Sequence, residues 1–142
     1  MTDLTLAQAR AILDGAIAEA RRLGLRPLTI VVVDRAGHVV ATAREDAASM
    51  FRFDVALGKA WAAAAMGVSS RKLGENAKGN PNFFVSLAAT AHGKFLPQTG
   101  AVVIARGGEP LGAVGASGAT GDEDEAACIA GVLAAGLELG PS

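Results

Sequence analysis

The sequence predicts an α+β fold: one antiparallel β-sheet flanked by helices. Three observations predict it. Two pairs of short, largely apolar segments each surround a turn sequence, as β-hairpins do. Apolar residues at helical spacing precede the first pair, separate the two pairs and follow the second. The order is therefore helix, hairpin, helices, hairpin, helix, which packs helices against a sheet in two or three layers. At 142 residues the chain is expected to form a single domain over 1–142, large enough for its own core.

Each element has a local reason. Thr5 and Gln8 fit a T-x-x-Q capping box. Leu6, Ala9, Leu13, Ile17, Ala20 and Leu23 then follow helical spacing, and Gly24 and Pro27 end that helix. Leu28 to Val33 reads as a short buried strand. Asp34-Arg35-Ala36-Gly37 has turn chemistry. His38 to Arg44 alternates, which puts Val39, Ala41 and Ala43 on one side. Ser49 is the expected cap of a helix from Met50 to Met66, with Phe53, Leu57, Ala60, Trp61 and Ala64 as its apolar stripe. Arg52 and Lys59 share another face of it. Gly67 ends it.

Ser69 is the expected cap of a short helix reaching about Lys78. After the turn Gly79-Asn80-Pro81, Asn82 is the expected cap of a helix from Phe83 to about Ala91, closed by His92 and Gly93. Ala101 to Ala105, the turn Arg106-Gly107-Gly108-Glu109, and Pro110 to Ala116 make the second hairpin. Asp122 to about Leu139 is the last helix. It has almost no polar face after its first turn, so it is expected to be buried centrally or at a subunit contact.

Composition narrows the function classes. Half the residues are apolar and 19% are charged, against disorder. A net charge of −1 gives no basic footprint for nucleic acid. The one cysteine, Cys128, leaves no internal disulfide and no Cys cluster. The polar start, MTDLTLAQAR, carries no signal peptide, and no apolar run is long enough to span a membrane, so a cytoplasmic location is expected. Alanine-rich faces and 18 glycines suggest close packing between subunits.

The stretch Gly112 to Glu125, GAVGASGATGDEDE, is where chemistry is expected. It joins a strand to a helix, a common place for free backbone amides. Thr120 to Glu123 also fits a capping box, which gives the acids a structural reading. Walker, Rossmann, H-E-x-x-H and C-x-x-C motifs are missing. Ser69-Ser70-Arg71-Lys72 matches S-x-x-K without its partner motifs, and a cap explains the serine. Gly115 to Ala119 misses the G-x-S-x-G elbow at Ala119, which argues against Ser117 as a nucleophile. With only His38 and His92, a multi-histidine metal site is poorly supported. Arg44, Arg52 and Lys59 cluster near a helix start and suit a carboxylate, or they pair with Glu45, Asp46 and Asp54.

The segments TIVVVDRAGHVVATAREDAASMFRFDVALGKAWAA, SSRKLGENAKGNPNFF and GEPLGAVGASGATGDEDEAACIAG resemble the GlcG/HbpS family, related to the C-terminal domain of PduO-type adenosyltransferases. The resemblance implies a profilin-like antiparallel sheet flanked by helices and a homo-oligomer, dimer to octamer. It implies haem as the cofactor, with a pocket near His38, Arg44, Phe51, Arg52, Lys59 and the Gly112–Asp124 stretch.

Three functional readings follow. In the first, the protein binds haem for carriage, sensing or slow degradation. His38, or His92, is then the candidate iron ligand, Arg44 or Arg52 meets the propionates, and Phe51, Gly115 and Ser117 line the site. In the second, it is a cofactor-free isomerase, lyase or hydrolase acting on a small oxygenated acid. Glu123 or Asp122 is then the general base, while Arg52 and Lys59 hold the carboxylate and stabilise an enolate. In the third, it is a non-catalytic structural or regulatory oligomer.

Overall fold

A computed structural model describes residues 3–142. In chain order the elements are α1 (Leu6–Leu23), β1 (Thr29–Asp34), β2 (Val39–Arg44), α2 (Phe51–Met66), α3 (Ser70–Gly79), α4 (Pro81–Thr90), β3 (Ala101–Arg106), β4 (Glu109–Ser117), α5 (Gly121–Ala134) and β5 (Glu138–Leu139). The strands form one antiparallel sheet in the order β2-β1-β4-β3-β5. Both hairpins are present, and β1 lies against β4 to join them. This is the α+β architecture the element order predicts.

Strand alternation sorts the core into two layers. Ile30, Val32, Val102, Ile104, Val114 and Ala116 face α1 and α5. Val31, Val33, Ala101, Val103 and Ala113 face α2. A smaller cluster of Ala62, Leu73, Phe84 and Phe95 seats α3 and α4 beside α2. Alanines at Ala56, Ala60 and Ala63 bring α2 close to the sheet. Gly115 completes that approach, because a Cβ there would lie 2.5 Å from the Ala56 carbonyl oxygen.

Both predicted capping boxes form. Thr5 caps α1 with Gln8 returning the bond, and Thr120 caps α5 with Glu123 doing the same. Ser69 caps α3 through the Lys72 amide. Other expectations need correction. Ser49 does not cap α2; its hydroxyl accepts from the Arg52 guanidinium at 3.4 Å, and the N-cap position is Met50. The fourth helix starts at Pro81 rather than after Asn82, since proline's fixed φ and missing N–H suit a first helical position. Val39 is exposed while Val40 packs on the core, because a register shift between Val32 and Val33 breaks the alternation of β2.

The last helix is shorter than expected. Gly136 takes the left-handed conformation (φ 73), and the Gly136 and Leu137 amides donate back to Leu133 and Val132. That Schellman closure stops α5 and turns the chain into β5, which pairs with Ile104 and Ala105 on the edge of the sheet. The helix is not buried all round: Leu133 is exposed. Among the described residues, no helix is long and apolar enough to cross a membrane.

Candidate functional site

A cleft of about 460 Å³ opens where the end of β4 meets α5. One wall is α2, which presents Arg52, Val55 and Lys59. Leu96, Gln98 and Thr99 of the segment before β3 form a second wall. The strand-to-helix stretch closes the third with Ser117, Ala119, Thr120, Gly121, Asp122 and Asp124.

The core of the site is a buried ion pair. Lys59 Nζ lies 3.1 Å from Asp124 Oδ2 and donates to the Ala116 carbonyl at 3.1 Å. Asp124 Oδ1 accepts from the Ala119 amide at 3.0 Å. The two side chains are only 7% and 2% exposed, yet both border the cleft. Burial pushes the Asp124 carboxyl above its ordinary range, opposed by the Lys59 charge and the Ala119 amide. Gly100 makes room for the lysine: a Cβ there would stand 2.6 Å from Nζ, and its φ of 140° disfavours any side chain.

Helical register explains why these two residues turn inward. Asp124, Ala127, Cys128, Gly131 and Val132 form the buried stripe of α5, and Lys59 sits among Ala56, Ala60 and Ala63 on α2. Asp122 also borders the cleft, but it is exposed and ion-paired with Arg71, which also holds Glu125 at 3.0 Å. Glu123 faces away. Its carboxylate accepts from the Thr120 amide at 3.1 Å, as the capping box requires, and it borders a separate hollow with Gly24, Leu25 and Arg26. Asp124, which sequence reasoning did not single out as the acid, is the carboxylate buried in the site.

Arg52 is the cleft's free cation. It donates to Ser117 Oγ at 3.1 Å and makes no ion pair with a described carboxylate. Its guanidinium lies 5.9 Å from the Phe51 ring centroid. Phe51 and the preceding Met50 are 58% and 77% exposed, an unusual apolar pair on a surface. Across β1, Ser117 and Arg44 both oppose Thr29, so the three share the sheet face that carries α2. Arg44 is exposed and without an ion pair among the described residues. Thr29 is fully buried, and its hydroxyl has no hydrogen-bond partner among the described residues.

The structure thus brings together Arg52, Lys59, Ser117 and Asp122, with Phe51 beside Arg52; Arg44 shares the sheet face but lies two strands from Ser117 and does not border the cleft. It does not bring in Gly115, whose position is filled by the approach of α2. The histidines are elsewhere. His38 stands at the opposite end of β1 and β2, beyond Asp34, while Ser117 opposes Thr29. Five strand steps separate those ends, roughly 16 Å. The His38 side chain is 82% exposed, with Nδ1 3.9 Å from Asp34 Oδ2. His92 occupies the left-handed position that closes α4 (φ 56), is exposed, and does not border the cleft. The cleft's own residues therefore include no imidazole, thiol or thioether. Among the described residues, no group of three His, Cys, Asp or Glu side chains could hold a metal ion.

Residues 4–133 match the family model described as haem-degrading protein HbpS-like. The chain belongs to the HbpS-like haem-degrading family. No curated protein matches it. Among solved structures, the PduOC–haem complex superposes with a TM-score of 0.86 at 23% identity, over 98% of this chain and 99% of that one. A double mutant of HbpS from Streptomyces reticuli gives 0.82 at 28% identity, over 94% of this chain and 87% of that one. Protein ORFY of Klebsiella pneumoniae gives 0.86 at 22% identity, over 96% and 93%. These HbpS-like and PduOC structures share the sheet and its flanking helices with the present chain.

Proposed function

We propose that this HbpS-like protein binds haem, with the propionate edge of the porphyrin seated at the Arg52 cleft. The observation that carries the reading is Arg52: a cation without a carboxylate partner among the described residues, held by two serine hydroxyls at the mouth of a cleft, in a haem-degrading family. Guanidinium and hydroxyl donors in that arrangement suit a carboxylate. Arg44, on the same sheet face, reaches a second propionate. Met50 and Phe51 supply an exposed apolar surface next to these cations, which suits a macrocycle with charge at one edge.

These residues fit the porphyrin's carboxylates and its apolar face. They do not provide the iron ligand named from the sequence, since His38 and His92 lie outside the cleft. Iron, when bound, supplies the redox chemistry; the chain's own residues bind and orient the group. Exposed Phe83, Val85 and Leu133 fit the homo-oligomer expected from the alanine-rich sequence.

A haemin titration followed by absorbance tests the reading, with Arg52→Gln and His38→Ala beside the parent. A sharp, saturable Soret band, weakened about tenfold by Arg52→Gln, is expected; one charge-assisted contact is worth about that much. A broad, non-saturating change indifferent to Arg52→Gln overturns it and favours a structural oligomer.

A further inference from the structure

The haem reading leaves Lys59 and Asp124 unused. A buried carboxylate and ammonium that both border a cleft, next to a free guanidinium, make an arrangement for moving a proton on a small acid. We propose that the cleft also catalyses proton transfer at the carbon next to the carbonyl of a small 2-oxo carboxylic acid, with Asp124 as the base.

Each group has a place in the step. Arg52 and Ser117 hold the substrate carboxylate at the mouth. Lys59, 3.1 Å from Asp124, is the positive charge nearest the base, and an ammonium there stabilises an enolate oxygen. Asp124 Oδ2 takes a proton from C3. The C3–H bond pair becomes the C2–C3 double bond, and the carbonyl π pair moves onto oxygen. The proton then returns from Asp124 to C3, or to the far end of a conjugated chain. Nothing is oxidised, and no co-reactant is consumed. The cleft volume of about 460 Å³ is within the range of small-molecule sites.

Other acids serve the step less well. Glu123 is committed to its capping bond and borders another hollow. Asp122 is exposed and tied to Arg71. The Asp124 position is set on both oxygens, by Lys59 and by the Ala119 amide, so the base is held before substrate arrives. This inference shares Arg52 and Ser117 with the haem reading but does not depend on haem, because its base and its ammonium, Asp124 and Lys59, take no part in that reading.

The experiment is proton NMR of pyruvate and of 2-oxobutanoate in buffered D2O, reading the loss of the C3 proton signals. The parent protein, without haemin, is expected to exchange these protons faster than buffer alone. Asp124→Asn is expected to lower the rate about 100-fold or more, the usual contribution of a positioned base. Arg52→Gln is expected to raise the half-saturating substrate concentration about tenfold. Arg106→Gln, on an exposed strand end away from the cleft, leaves the rate unchanged. Exchange no faster than buffer with both acids overturns the proposal, as does an Asp124→Asn protein that exchanges at the parent rate. If Asp124→Asn does not fold, Arg52→Gln decides, and an unchanged concentration dependence overturns the proposal. A protein that binds haemin saturably but exchanges nothing keeps the haem reading and loses this one; the reverse result does the opposite.

Discussion

Replacing Lys59 with methionine isolates the buried pair. The variant leaves Asp124 facing an apolar neighbour, with the Ala119 amide as its remaining donor. Removing one partner of a buried pair typically costs about 3–5 kcal/mol, because the other charge stays without compensation. The side chains are 7% and 2% exposed, so solvent screens little of this. Asp124 has one escape, which is to bind a proton. From an unfolded value near 3.9, holding that proton at pH 7 costs about 4 kcal/mol, at about 1.4 kcal/mol per unit; at pH 5 it costs about 1.5 kcal/mol.

The sign is fixed by linkage. A carboxyl whose folded pKa is raised binds more protons folded than unfolded, so stability falls as pH rises from the ordinary Asp value through the folded value. Lys59→Met widens that window. Urea unfolding at pH 5 and pH 7 should therefore show losses of at most about 1.5 and about 4 kcal/mol against the parent, which already bears part of the cost, with the larger loss at pH 7. Adding Asp124→Asn keeps an acceptor for Ala119 and removes the charge, so the double variant should regain most of the loss at pH 7. Equal losses at the two pH values, or a double variant no better than the single, would refute the reasoning.

Further outcomes are expected elsewhere. Thr5→Ala removes the capping-box acceptor of α1 and should cost about 1 kcal/mol, read as a fall of about 4 °C in Tm. Gly100→Ala must push Lys59 aside at a φ of 140°. Its loss should exceed about 1 kcal/mol, whereas Gly79→Ala, with open space around it, should be neutral or slightly stabilising. Cys128 is fully buried, and burial pushes its thiol pKa up. A thiol reagent should label it only in denaturant, and labelling of the native protein would show that α5 opens locally.

Much of the fold is written in short-range chemistry. Thr5 with Gln8, and Thr120 with Glu123, announce two helix starts, while Gly24 and Gly67 announce two ends. Gly136 carries the same signal as Gly24, but the unbroken run of apolar residues around it masks the stop and hides β5. The β1–β4 pairing is a long-range choice that no local pattern states.

The site was legible in part for a similar reason. Arg52, Lys59, Ser117 and Asp122 follow from residue type and position. Asp124 is one of four consecutive acids, and only its three-and-four spacing to Ala127, Cys128 and Val132 marks it as the inward one. That stripe is faint in a helix whose other faces are also alanine and leucine. The histidines stand outside the cleft for reasons residue type does not carry: hairpin register puts His38 at the far end of β1 and β2, and His92 falls in the turn that closes α4.

The most direct test is a crystal structure of the protein grown with haemin. The account predicts porphyrin density beside Met50 and Phe51, with a propionate within hydrogen-bond distance of the Arg52 guanidinium and Ser117 Oγ. Haem found at the opposite end of the sheet beside His38, with the Arg52 cleft unchanged, would contradict it.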